Sequence, residues 1–238
     1  MEKSVLFDVK DDVALITLNR PDRHNAICQD LLVNLYNYID EVARSGDIKV
    51  AIITGAGKSF CSGLDLEVIG KDNLFNPRGD GKDFPDVLAA CTKPVIGAIN
   101  GNAITGGLEI ALNCDFLIAS EKARFIDSHA KVGIHPGWGM TQLLQQAVGQ
   151  RMAKQMSFTC RPLSAEEAFR CGLVNEVLPP EKLLPRAMEI ARDICTVNPD
   201  IMTVIKGLIE RRNAQSHDEA FQAERDGLLE FLKKMGML

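Results

Sequence analysis

The chain has 238 residues, 46% hydrophobic and 25% charged, with a net charge of −5. That composition supports one main globular domain with a substantial core, and it excludes a general attraction to nucleic acid or anionic membranes unless a local basic patch supplies one. Arg211-Arg212 is too short for that, and seven cysteines scattered singly, at 28, 61, 91, 114, 160, 171 and 195, suit a reducing compartment better than a disulfide framework or a zinc site.

The opening residues, Met1-Glu2-Lys3-Ser4-Val5, lack a signal-peptide apolar stretch and lead into alternating, strand-like sequence, so a cytoplasmic protein is expected. Val13 to Leu18 reads as a strand that stops at the turn composition Asn19-Arg20-Pro21-Asp22. Asn25 is predicted to open a helix whose apolar face carries Leu31, Leu32, Leu35, Ile39 and Val42. Ile48 to Thr54 reads as a buried strand, Gly55-Ala56-Gly57 as a turn and Ser62 to Ile69 as a short helix. The polar run from Lys71 to Asp83 is predicted to be a mobile surface loop, either inert or a lid. Strands recur at Lys93–Ile99 and Asp115–Ala119, and the alternation argues for an α/β fold with a helix-backed sheet. Beyond Trp138 the pattern is almost wholly helical, broken near Pro162, Gly172, Pro179-Pro180 and Pro199, and no internal sequence repeat is visible. Pro94 to Leu112 is the most apolar long window, but Asn100, Asn102, Thr105, Glu109 and four glycines interrupt it, which argues against a membrane span.

The chemistry concentrates in Asn100-Gly101-Asn102-Ala103-Ile104-Thr105-Gly106-Gly107-Leu108-Glu109, which follows the apolar run Pro94–Ile99 and enters a helix. A helix start presents N–H groups with no intrahelical partner, and it can hold an anion or a developing oxyanion. Glu109 lies three residues after Gly106 and shares its helix face, with apolar neighbours Leu108, Ile110, Ala111 and Leu112. Such surroundings raise a carboxyl's pKa toward the range useful in acid–base catalysis, whereas an ordinary solvated glutamate is the plainer alternative. Gly55-Ala56-Gly57-Lys58-Ser59 invites a phosphate-loop reading, yet Ile52 stands where that motif needs its first glycine.

Asn100-Gly101-x-Ala103-x-x-Gly106-Gly107-x-Glu109 resembles the central motif of the crotonase family, the enoyl-CoA hydratase/isomerase superfamily. Ser59-Phe60-Cys61-Ser62-Gly63-Leu64-Asp65-Leu66 is similar to that family's second signature and Arg20-Pro21-x-Arg23-x-Asn25-Ala26 to its first; Ala123-Arg124-Phe125, Pro136-Gly137-Trp138-Gly139 and Gly172-Leu173-Val174-Asn175 follow in order. The resemblance spans roughly Val5 to Arg212. It implies a spiral of β-β-α turns over 1–195 with an acyl-CoA site, and a helical region over 196–238 that makes trimer contacts, with trimers pairing into hexamers. The apolar pattern Ile201, Val204, Ile205, Leu208, Ile209, then Phe221, Leu228, Leu229, Phe231 and Leu232 offers more apolar surface than a small core needs, which fits such assembly.

The activity implied is hydration of a trans-2-enoyl-CoA thioester to the 3-hydroxyacyl-CoA through an enolate, with no metal or redox cofactor and coenzyme A as part of the substrate. Isomerisation, dehydration or thioester hydrolysis on another acyl-CoA, or noncatalytic acyl-CoA binding, are the alternatives. The resemblance assigns the oxyanion-hole N–H groups to Ser62 and Gly106, and catalysis to Glu109. It also makes Arg23 a contact for CoA phosphate, Ala26 a wall for pantetheine or adenine, and Asn25, Cys61, Leu64, Asp65, Leu66, Gly101, Thr105, Ser128 and Val132 further substrate contacts. One position departs from the pattern. Where family hydratases carry a second glutamate, this chain reads Phe125-Ile126-Asp127-Ser128-His129, so His129 is the expected second proton-transfer group, with Asp127 as a substitute. His135, beside Pro136-Gly137, is expected to be structural.

Overall fold

The computed structural model describes residues 3–211, 213–235 and 237. Met1 and Glu2 of the opening and Arg212 of the Arg211-Arg212 pair lie outside the described residues. The chain divides into two compact units, Met1–Thr196 and Val197–Leu238.

The first unit begins with β1 (Val5–Lys10) antiparallel to β2 (Val13–Leu18). Asp11 and Asp12 join them at φ 53° and 63°, the left-handed pair that a two-residue hairpin requires and that Asp tolerates better than bulky residues. α1 (Gln29–Arg44) starts later than the periodicity predicts, because His24 and Asn25 are left-handed and Ile27 forms a parallel bridge to Leu64. Its buried face is the predicted one with Tyr36 added.

Three turns of one pattern follow: β3 (Val50–Gly55), β4 (Ser59–Cys61) and α2 (Phe84–Ala89); β5 (Val95–Ile99), β6 (Asn102–Ile104) and α3 (Gly106–Leu112); β7 (Phe116–Ser120), β8 (Arg124–Ile126) and α4 (His129–Val132). The unit closes with α5 (Met140–Val148), α6 (Gln150–Thr159), β9 (Leu163–Ser164), α7 (Ala165–Arg170), β10 (Glu176–Leu178) and α8 (Pro180–Cys195). The first strand of each turn joins a six-stranded sheet ordered β1-β2-β3-β5-β7-β10, and the second joins a four-stranded sheet ordered β4-β6-β8-β9. Repetition of this alternation, parallel in both sheets across the three turns, generates a spiral.

The central strands β3 and β5 of the larger sheet are apolar on both faces because both are covered. Val50 and Ile52 of β3 pack with Ile96, Ala98 and Ile118 against Leu183, Ala187 and Ala191 of α8, while Ala51 and Ile53 face the main core with the apolar side of α1. Each large aliphatic side chain so buried stabilises the fold by about 1.5–3 kcal/mol.

Two predicted elements differ. Ser62–Ile69 forms turns rather than a helix, since Leu64 is held in the bridge to Ile27 and Gly63 takes a φ of +86°. The 71–83 loop is tied down: the Gln29 backbone N–H donates to Asp72 (2.8 Å), its side chain donates to the Pro77 carbonyl (2.8 Å), and Arg78 pairs with Asp40 (2.6 Å) and Asp80 (2.8 Å).

The second unit contains α9 (Pro199–Arg211) and α10 (His217–Lys234), the latter opened by a capping box between Ser216 and Glu219. Neither helix buries a residue among those described, and Val204, Ile205, Ile209, Phe221, Leu228 and Leu229 are exposed.

Candidate active site

Glu109 sits in the first turn of α3, 3% exposed. Its Oε1 accepts the backbone N–H groups of Trp138 (2.9 Å) and Met140 (3.2 Å). The side chain of Asn113 ties the same pieces together, donating to the carbonyls of Glu109 (2.8 Å) and Trp138 (2.9 Å). Burial pushes the Glu109 carboxyl above its usual range, and the N–H donors only partly offset it. Oε2 is left facing His129, whose Nε2 lies 3.7 Å away, beyond direct hydrogen-bond length. His129 opens α4 and is 7% exposed; its Nδ1 meets Asp127 Oδ1 at 2.7 Å. Asp127, 3% exposed, is held below the usual carboxylate range although burial opposes this, because the His129 ring, the Ser157 hydroxyl and the His129 backbone N–H all bond to it.

A cleft of about 110 Å³ opens over these groups, room for a few water molecules or a short acyl group. Of the residues singled out in the sequence, Ser62, Leu64, Leu66, Thr105, Gly106, Glu109, Ser128, His129 and Val132 line it. Leu66 and Phe75, 67% and 65% exposed, stand in its lining with Trp138 and His135. Phe75, from the tethered 71–83 loop, carries no motif signal that would have marked it beforehand.

The backbone donors are differently distributed from the expectation. Ser62 donates its N–H to the His24 carbonyl at 3.1 Å. The bridge to Ile27 uses the Gly63 carbonyl and the Asp65 N–H, which turns the intervening Leu64 N–H to the opposite side. Gly106, as the first residue of α3, precedes the intrahelical ladder. The two N–H groups are close: a Cβ built on Gly106 would stand 3.8 Å from Leu64 N, and one on Gly63 would stand 3.4 Å from Gly106 N. Gly63 also has no alternative, since a Cβ at its φ of +86° would meet the Ile104 carbonyl at 2.8 Å. Thr105, at φ 52° and ψ −112°, occupies a costly conformation for a β-branched residue, and its N–H bond to the Ile126 carbonyl (2.8 Å) and side-chain bond to Ser128 hold it there.

The remaining predicted residues lie outside the cleft lining. Arg23 is exposed and paired with Glu67 at 2.9 Å. Asn25 is fully buried, its amide donating to the carbonyls of Ala56, Ser59 and Phe60 and its oxygen accepting from Arg20 N–H (2.8 Å). Arg20 further bonds the Ala26 carbonyl and Asp65 (3.0 Å), so this trio secures the loop that carries Leu64. Cys61 is buried and burial pushes its thiol up to about 12, which leaves it unreactive at neutral pH. Gly101 packs so closely that a Cβ would fall 2.1 Å from the Lys58 carbonyl. After Lys58 the chain enters β4 rather than a helix, so the phosphate-loop geometry is absent there.

A strand–strand–helix spiral whose cleft gathers the neighbouring backbone N–H groups of Leu64 and Gly106 beside a buried acid and a buried imidazole has the components of an enzyme site that can stabilise an oxyanion. The family model described as enoyl-CoA hydratase/isomerase matches residues 8–237, and the chain belongs to that family. It is 40% identical over 202 residues to a probable peroxisomal enoyl-CoA hydratase 1 of Arabidopsis thaliana, covering 83% of this chain and 74% of the relative. It is 37% identical over 249 residues to the short-chain-enoyl-CoA hydratase of Clostridium acetobutylicum, covering 97% and 95%. Among solved structures, an enoyl-CoA hydratase from Mycobacterium tuberculosis superposes with a TM-score of 0.81 at 40% identity, over 92% of this chain and 95% of that one. The crotonase resemblance and the spiral architecture are thereby established.

Proposed function

We propose that this protein adds water to a trans-2-enoyl-CoA thioester to give the 3-hydroxyacyl-CoA, a hydro-lyase reaction. The observation that carries the reading is the cleft in which Glu109 and His129 face each other beside the free N–H groups of Leu64 and Gly106. The thioester oxygen accepts both N–H groups. Because Oε1 of Glu109 is occupied by backbone donors, Oε2 takes a proton from water as the water oxygen bonds to Cβ. The π electrons move to the thioester as an enolate, which the two donors stabilise by about 3–4 kcal/mol each. The imidazolium of His129 gives a proton to Cα, and the Glu109 proton returns to Nε2, so the pair carries one proton between them and ends as it began. The thioester is the electron sink, so the reading requires no resident metal or redox cofactor. Among the described residues, no group of three His, Cys, Asp or Glu side chains is placed to hold a metal.

Crotonyl-CoA should lose its conjugated enoyl-thioester absorbance on addition of the protein. If enoyl-CoA of no chain length from C4 to C16 is hydrated while CoA esters still bind, the hydratase reading fails. The relatives include the 1,2-epoxyphenylacetyl-CoA isomerase of Escherichia coli, 32% identical over 237 residues, so isomerisation is the next activity to assay, then thioester hydrolysis and simple acyl-CoA binding.

The proposal extends to a homotrimer or a dimer of trimers. Exposed Ile205, Ile209, Phe221, Leu228 and Leu229 on α9 and α10 support it, since exposed apolar rows of this kind mark protein contacts. Light scattering at micromolar concentration should report at least a trimer; a stable monomer would sink this part. A cytoplasmic location is supported by seven cysteines, none of them joined in a disulfide, and cell fractionation checks it. No helix among the described residues is long and apolar enough to cross a membrane.

A further inference from the structure

Asp127 makes two bonds to His129 with a single oxygen: Oδ1 accepts the backbone N–H at 3.1 Å and ring Nδ1 at 2.7 Å. One atom therefore fixes both the first turn of α4 and the rotation of the imidazole. Ser157, from α6, bonds to the same carboxylate. With Nδ1–H committed to Asp127, the remaining ring nitrogen, Nε2, faces Glu109 Oε2 at 3.7 Å. Asp127, His129 and Glu109 are 3%, 7% and 3% exposed, so bulk water cannot substitute for any of these contacts. A buried carboxylate on Nδ1 selects the tautomer that leaves Nε2 free to accept, and it stabilises the imidazolium once Nε2 is protonated.

We infer that Asp127 is a positioning residue for the reaction: it holds the His129 ring with Nε2 toward Glu109, so that the two groups exchange one proton beside the α and β carbons of the acyl chain. The inference rests on the hydratase reading. In each turnover a water O–H bond breaks and its proton goes to Glu109 Oε2 as the oxygen bonds to Cβ. The His129 Nε2–H bond then breaks to form the Cα–H bond, and Glu109 returns its proton to Nε2. Nothing is oxidised or reduced. A position occupied by glutamate would need no such partner, and Asp127 would instead face it as a second anion. The Asp127–His129 pair therefore functions as a unit rather than as a single replaced residue.

The alternative is that Asp127 only caps α4. Asp127→Asn separates the two, because its amide oxygen can still accept the backbone N–H of residue 129 while the anion opposite the ring is gone. The expected result is a fall in kcat for crotonyl-CoA of about 10–10³-fold with KM within threefold. A folded Asp127→Asn protein with kcat within threefold of the parent would overturn the inference. Histidine ¹⁵N NMR of the unaltered protein gives a second measurement that no folding defect can spoil. His129 should show a protonated Nδ1 and, in the neutral ring, a bare Nε2; a bare Nδ1 with protonated Nε2 would overturn the pairing. Absence of enoyl-CoA hydration together with the expected tautomer would instead overturn the hydratase reading and leave the pairing intact.

Discussion

Glu109→Gln is expected to lower kcat for crotonyl-CoA by about 10²–10⁴-fold while KM stays within a few-fold. The substitution keeps the shape of the side chain, and the amide oxygen can take over the N–H bonds from Trp138 and Met140, so α3 and the loop it meets are preserved. What is lost is the oxygen facing His129. The same variant should melt at a higher temperature than the parent at a pH above the raised Glu109 value. Burial raises the Glu109 carboxyl above its unfolded value, so the contribution of its protonated form is fully present below the unfolded carboxyl range and is lost as pH rises through the raised folded value. Once pH has risen through that raised value, the parent carries a buried charge that the variant lacks. Each kcal/mol relieved should move the midpoint by about 2–4 °C in a chain of this size. The difference should shrink as pH falls toward the carboxylate range. Calorimetry at several pH values with steady-state kinetics checks both halves, and a variant that keeps turnover within tenfold would remove Glu109 from the chemistry.

His129→Ala is expected to cost kcat on the order of 10²–10⁴-fold as well, with acyl-CoA affinity little changed. The more discriminating substitution is His129→Glu, which supplies the residue that the family resemblance implies at this place. Glutamate should not rescue activity here. Asp127 lies within hydrogen-bond distance of the ring and is nearly sealed from solvent, and Glu109 approaches from the other side. Three carboxylates would then share one buried site. Removing the cationic partner of a buried charge costs about 3–5 kcal/mol, and adding a like charge makes the balance worse. We expect His129→Glu to be less stable than His129→Ala at neutral pH, and to recover stability when Asp127→Asn is added. Urea denaturation and crotonyl-CoA kinetics decide the matter; a single variant as stable and active as the parent would show that the Asp127–His129 pair is dispensable.

Much of the site was legible before any coordinates. Gly106 and Glu109 are three apart on one helix start, and local geometry alone places an N–H donor and a carboxylate on the same face. The apolar neighbours of Glu109 announced its burial, and the raised carboxyl follows from them. The second donor was harder to place. Ser62 and Leu64 are two apart, both lie in the cleft lining, and only the pairing with distant His24 and Ile27 shows that the Ser62 N–H is occupied and the Leu64 N–H is turned away from that pairing. Asn25 and Asp65 read as ligand contacts in the linear motif, yet their polar atoms are engaged in holding the loops.

What the sequence determined by itself was whatever depends on neighbours along the chain: the apolar runs of β2, β3, β5 and β7, the buried face of α1 and the start of α3. Tertiary structure decided the rest. The three-residue strands β4, β6 and β8 have too few positions to show a period, and they exist because each pairs with strands distant in the chain. The spiral likewise repeats in space with no repeat of sequence, since what recurs is the alternation between two sheets and not any side chain. The facing of Glu109 and His129 depends on α3 and α4 arriving together from successive turns of that spiral. No local propensity encodes a distance between residues twenty positions apart; the packing of the sheets sets it.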